Sequence, residues 1–147
     1  VGLVTNVCVY VPSGVGYVQA AAREARKVKE GTPRYYGHSQ VELSPEGIIQ
    51  AEMVRGCLAG EKVDAIYSSD SNRACLTAEI IASVHLAEVV LCHELRENDF
   101  GEIEVMTFEE VEKCCPEAAG LWRGGDLDMA APGGENLRRS LAAFSGS

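Results

Sequence analysis

One stretch limits the possible folds more than any other: the apolar run Ala65-Ile66-Tyr67, then Ser68-Ser69-Asp70-Ser71, then a helical pattern from Asn72 to Ile81. Ala74, Leu76, Ala78 and Ile81 give the last part an apolar face, so the pattern predicts a strand running into a helix N-terminus. Such an end offers unpaired backbone N–H groups and a partial positive charge. Arg73, in the first turn, adds a planar, permanently charged fork that matches phosphate oxygens. Taken alone, a surface arginine on an ordinary α/β turn is the simpler reading.

The alternation of apolar runs and helical patterns recurs along the chain. Leu3 to Val11 is rich in β-branched residues and predicts a buried strand that stops at Pro12, with a loop through Gly16. Good helix formers from Tyr17 to Glu30 predict a helix stopped by Gly31, and Arg23, Arg26, Lys27 and Lys29 read as its solvated face. Thr32 to Leu43 reads as a loop. Ser44-Pro45-Glu46 places an N-cap before a first-turn proline, and Ile49, Met53, Val54, Cys57 and Leu58 predict one apolar stripe on a helix ending near Gly60. Glu88 to Cys92 predicts another short strand. These elements predict an α/β layer fold with a mainly parallel central sheet.

Past Cys92 the character changes. His93 to Glu102 is dense in carboxylates, follows neither period, and reads as a functional loop. Thr107-Phe108-Glu109-Glu110 is a capping box for a short helix ending at Pro116, and Trp122 anchors the next turn or packs. Pro132-Gly133-Gly134-Glu135 closes a loop, and a last helix is predicted from Asn136 to Phe144.

The 147 residues, 46% hydrophobic, fit a single domain over 1–147. A net charge of -9 argues against non-specific binding to nucleic acid or anionic membranes. No run reaches membrane-spanning length and no leader pattern opens the chain, so a cytoplasmic protein is expected. The six cysteines, 8, 57, 75, 92, 114 and 115, include no Cys-x-x-Cys pair and predict no zinc or other metal site. Cys8, Cys57, Cys75 and Cys92 read as core thiols, and adjacent Cys114-Cys115 before Pro116 gives only slight support to a redox pair.

Four segments form an ordered series: Arg34-Tyr-Tyr-Gly37-His38-Ser-Gln-Val-Glu-Leu-Ser-Pro-Glu-Gly47, Tyr67 to Glu79, Leu95-Arg-Glu97-Asn-Asp-Phe-Gly-Glu102, and Pro132 to Leu137. Over residues 34 to 137 the series resembles the histidine phosphatase superfamily, in its phosphoglycerate mutase-like and α-ribazole phosphatase-like branch. The resemblance implies a three-layer α/β/α fold, no cofactor, and phosphomonoester hydrolysis through a transiently phosphorylated histidine. By the same resemblance Arg73 binds phosphate and Glu97 protonates the leaving alkoxide. Arg34, Gly37 and His38 fall on the substrate loop, with Tyr36 where this branch commonly carries glutamine.

Two parts of the family pattern are missing. The Arg-His-Gly-Glu motif that follows the first strand is absent, and Ser13 occupies the position expected for the histidine. The chain also ends before the family's second active-site histidine, so the sheet is expected to be incomplete at the C-terminus, with an edge that a homodimer would cover. Two functions are therefore expected: a phosphomonoesterase acting on a small phosphorylated metabolite, or a phosphate-binding module of the same fold without turnover.

Overall fold

The computed structural model describes residues 7–10, 18–19, 34–123 and 130–136. These residues pack as two compact units, 7–10, 18–19 and 40–96 in unit one, and 34–39, 97–123 and 130–136 in unit two. Ser13 lies outside the described residues, as does the predicted C-terminal helix beyond Asn136.

Unit one holds a four-stranded sheet in the order β2-β1-β3-β4, with β1 at Val7–Tyr10, β2 at Val18–Gln19, β3 at Ala65–Ser68 and β4 at Val89–Leu91. The α/β class is as expected, but the sheet is mixed rather than mainly parallel. β3 and β4 run parallel, joined by a helical crossover, while β1 is antiparallel to both β2 and β3. Residues 11–17 are too few for a crossover, and so short a connection joins strands only as an antiparallel pair. Val18–Gln19 is thus a strand where a helix was expected, because pairing of Val18 with Val9 overrides the helix-forming composition around it.

Register places Val7 opposite Ser68, Val9 opposite Ile66 and Ile66 opposite Val89, so these side chains share one face. Helix α1 (Pro45–Leu58) and helix α2 (Asn72–Ala82) supply the rest of this core, in which Val7, Val9, Ile66, Ala74, Ala78 and Ile81 are fully buried together with Leu58 and Val63. Tyr10, Tyr67 and Val90 lie on the other face and are exposed.

Ser44 caps α1 as predicted, its hydroxyl accepting from the Gly47 N–H at 3.0 Å. The buried positions of α1 are Gly47, Ala51 and Leu58, whereas Ile49 and Met53 are 56% and 66% exposed and Cys57 is also exposed. Small residues face inward where α1 packs on α2, so Ile49, Met53 and Cys57 of the predicted stripe turn outward, while Leu58 is buried and Val54 packs against the core. Cys75 and Cys92 are half-buried, so neither they nor Cys57 are the core thiols expected.

Unit two contains α3 (Phe108–Cys114) and α4 (Pro116–Arg123). The predicted capping box is present: Thr107 Oγ1 accepts from Glu110 N–H at 3.2 Å and Glu110 Oε2 accepts from Thr107 N–H at 2.7 Å. Its core is small. Ile103, Val111, Ala119 and Ala131 are buried, with Tyr35, Phe100, Met106, Phe108 and Cys115 packed against them. No helix among the described residues is long and apolar enough to cross a membrane.

Candidate functional site

The turn from β3 into α2 belongs wholly to unit one. Ser68 and Ser69 are buried, Ser68 Oγ donates to Ser69 O at 2.8 Å, and the Ser69 and Ser71 hydroxyls lie 3.0 Å apart. Ser71 occupies the N-cap of α2 without using its side chain to cap, and the Asn72 N–H donates instead to Gln40 Oε1 at 3.0 Å. Arg73 is only 2% exposed, which rules out the simple surface arginine. It shares the inward face of α2 with Ala74, Thr77, Ala78 and Ile81, while Leu76, expected on that face, is partly exposed. Thr77 Oγ1 donates to Arg73 O at 2.8 Å, which satisfies a hydroxyl that would otherwise be buried unpaired. The spacing Arg73, Thr77, Ile81 is the signal that reveals this face.

β4 ends beside the same turn, since Cys92 N–H donates to Ser68 O at 2.7 Å. Arg96 then grips Asp70 with two parallel bonds, Nε to Oδ1 at 2.5 Å and Nη2 to Oδ2 at 2.6 Å. This bidentate geometry is the strong form of an arginine–carboxylate contact. It holds the Asp70 carboxyl down at about 2, well below the usual range, and raises Arg96 in return. His93 Nδ1 stands 3.4 Å from the same carboxylate, on an exposed side chain. Asp70 and Arg96 drew no attention in the sequence, although both follow the C-terminal ends of adjacent parallel strands, where α/β sheets place their ligands. The third histidine, His85, follows α2, and its Nε2 is buried without a hydrogen-bond partner among the described residues.

Arg96 is followed directly by Glu97, the first residue of the acid-bearing loop of unit two, and Glu97 is half-buried. That loop is fixed by its own unit. Asn98 is buried, with Nδ2 donating to Glu135 O at 3.2 Å, and Glu135 N–H donates back to Asp99 O at 2.8 Å. Asp99 Oδ1 accepts from Gly101 N–H at 2.8 Å, and its Oδ2 lies 3.5 Å from His38 Nδ1.

Two of the motif glycines have a steric reason. A Cβ on Gly37 would clash with Asn98 O and come 2.6 Å from Glu104 Oε1, and one on Gly134 would come 2.5 Å from Asp99 O. Glu104 then clasps residues 38 and 39, accepting from His38 N–H at 2.6 Å and from the Ser39 hydroxyl.

Arg34 is engaged within unit two. Its Nη1 donates to Val105 O at 2.6 Å and to Glu110 Oε2 at 3.0 Å, which ties residue 34 to the capping box of α3. The Glu110 carboxyl is lowered, first by the Thr107 backbone N–H and also by Arg34. Of the residues singled out from sequence, Arg73 therefore belongs to unit one, whereas Arg34, Gly37, His38 and Glu97 belong to unit two. Among the described residues no group of three or more His, Cys, Asp or Glu side chains is placed to hold a metal ion.

Comparison with known proteins identifies the family. Residues 22–142 match the model of the histidine phosphatase superfamily, branch 1. The chain is 38% identical to the phosphoglycerate mutase-like protein 4 of Arabidopsis thaliana over 100 residues, 67% of this chain and 44% of that protein. Among solved structures, a mycobacterial glucosyl-3-phosphoglycerate phosphatase superposes with a TM-score of 0.66 at 29% identity, covering 75% of this chain and 51% of that one. The α-ribazole phosphatase of Shigella flexneri superposes with a TM-score of 0.71 over 76% of this chain and 55% of that one; at 24% identity it attests the fold alone. The chain spans about half the length of these relatives. On the strength of the match over 22–142 and of these relatives, the chain belongs to the histidine phosphatase superfamily.

Proposed function

We propose that this chain serves phosphomonoester hydrolysis on a small phosphorylated metabolite, with Arg73 holding the phosphate and Glu97 protonating the leaving oxygen. The observation that carries the reading is Arg73 itself: a guanidinium 2% exposed in the first turn of a helix that starts from the C-terminal end of a strand. A planar, permanently charged fork matches phosphate oxygens, and at a helix N-terminus both the dipole and the backbone N–H groups favour an anion. Asp70 and Arg96 act as positioning residues within unit one, since their two-bond contact steadies the turn that carries Arg73. Gly37 and His38 lie on the segment that meets substrate, and Arg34 steadies that segment through Glu110. The relatives named for phosphoglycerate mutase and for glucosyl-3-phosphoglycerate phosphatase favour a phosphorylated three-carbon acid or its glycoside as the substrate class.

A second reading, phosphate binding without turnover, has one observation in its favour. β1 runs antiparallel to β3, so Tyr10 pairs with Ala65 and the chain leaves β1 at the end of the sheet opposite to the one from which α2 starts. The end of β1 and the start of α2, where Arg73 stands, are thus at opposite ends of the sheet.

The two readings separate in one experiment. Purified protein is incubated with p-nitrophenyl phosphate and with phosphoglycerate beside Arg73→Ala and Arg73→Met. Product release that disappears in both variants is the expected result, and release no faster than in buffer rejects hydrolysis by this chain. Binding alone is read by melting: vanadate at about a hundred times its Kd stabilises the native state by about 2.7 kcal/mol. A melting temperature that vanadate does not move, in wild type as in Arg73→Ala, rejects the module as well.

A further inference from the structure

Apart from the phosphate-binding residues, unit two gathers three sulfur atoms. Cys114 closes α3 and Cys115 follows it; the Cys114 thiol lies 3.6 Å from Met106 Sδ and 3.7 Å from Val111 O. The neighbouring Cys114 thiol, followed by burial, holds the Cys115 thiol above its ordinary range, with the Glu102 carboxylate adding to the effect. The framework beneath is well tied. Cys115 N–H donates to Val111 O at 2.8 Å, Met106 N–H donates to Ile103 O at 3.1 Å, and both side chains pack on the cluster of Ile103, Val111, Ala119 and Ala131. Cys114 is exposed and Cys115 half-buried, so the group opens to solvent on one side.

The chemistry of the donors selects the ligand. Calcium and magnesium ask for oxygen, and zinc sites take four ligands, whereas two thiols and a thioether are the soft set that suits monovalent copper. Geometry agrees. Three coplanar sulfurs bound at about 2.3 Å, the length of a zinc–thiolate bond, stand about 4 Å apart, and Cys114 and Met106 are already 3.6 Å apart.

We propose that Cys114, Cys115 and Met106 form a binding site for cuprous copper. On binding, both thiols release their protons to solvent. Two thiolates and one neutral thioether then surround the ion and leave the complex with one net negative charge. None of the three side chains takes part in the phosphate chemistry proposed above, so either proposal can fail without the other.

The test is a competition for cuprous ion between the full, reduced chain and bathocuproine disulfonate under argon. Wild type is expected to bind one more equivalent than Cys114→Ser/Cys115→Ser, with sulfur as the copper's neighbours in X-ray absorption. Met106→Leu keeps volume and fold, and is expected to weaken binding roughly tenfold. Cys114→Ser alone changes an exposed thiol and is expected to lose the same equivalent, which keeps the test decisive if the double variant fails to fold. Equal uptake by wild type and either serine variant, an oxygen- or nitrogen-dominated copper environment, or unchanged affinity in Met106→Leu overturns the proposal.

Discussion

Val7, Val9 and Ile66 lie fully buried beneath α2 in unit one, whereas unit two buries Asn98 and Thr107 and sets Gly37 and Gly134 against backbone oxygens. The first unit is held by apolar area removed from water, which is forgiving of direction. The second adds to a smaller apolar core a close steric fit and side chains that satisfy backbone groups, as Asn98 does for Glu135 and Glu104 for His38. The residues proposed for phosphate binding and for proton donation therefore rest on different physical supports. Arg73 sits in the first turn of a helix packed on a hydrophobic sheet, while Glu97 opens a loop whose shape depends on neighbours that leave no room for a Cβ.

Substitutions sharpen this contrast, the strongest first. Ile66→Ala is expected to destabilise unit one by about 3 kcal/mol, because it removes buried methylenes and leaves a cavity under α2. Amide exchange checks it: protection should fall in β3 and α2 while α3 keeps its own. Loss of protection in both units together would abolish the distinction between them.

Gly37→Ala is expected to cost about 2 kcal/mol through overpacking against Asn98 and Glu104. Here the exchange rates of residues 97–104 should rise while those of β3 stay constant. Stability equal to that of wild type in urea titration would show that the segment moves freely and that close approach is not what holds it.

Thr107→Ala removes one half of the capping box at the start of α3, worth about 1 kcal/mol. Thr107→Ser should recover most of it, and failure of serine to do so would point to the methyl group rather than the hydroxyl.

The smallest effect belongs to Asp70. Its folded carboxyl titrates at about 2 against an ordinary value of 3.8, so the Arg96 contact contributes its full stability above that ordinary value. The contribution is lost as pH falls towards 2. Asp70→Asn is expected to lower stability at neutral pH by about 1 kcal/mol or less, since both side chains are partly solvated, and to flatten the acid limb between pH 4 and 2. An unchanged acid limb would show that the pair adds nothing.

Signals that span three residues were legible before any coordinates. Ser44 with Gly47, and Thr107 with Glu110, form where predicted because a cap is a contact between near neighbours in the chain. The strands β1, β3 and β4 were legible too, since an apolar β-branched run describes its own burial. The inward face of α1 was not, because Gly47 and Ala51 show no hydrophobic bulk and become core only when α2 lies close.

Strand direction was equally hidden. Composition predicts a strand from Leu3 to Val11, but that Val7–Tyr10 runs against β3 is decided by its pairing with Ala65–Ser68, which no local pattern states. The bond between Asp70 and Arg96, and the contact of Gly37 with Asn98, join positions far apart in the chain. Each residue in those pairs is ordinary in its own stretch, and its meaning comes from a neighbour that folding alone supplies. Local propensity and capping set which segments become strand or helix, while burial and close approach set how they run and which charged groups meet.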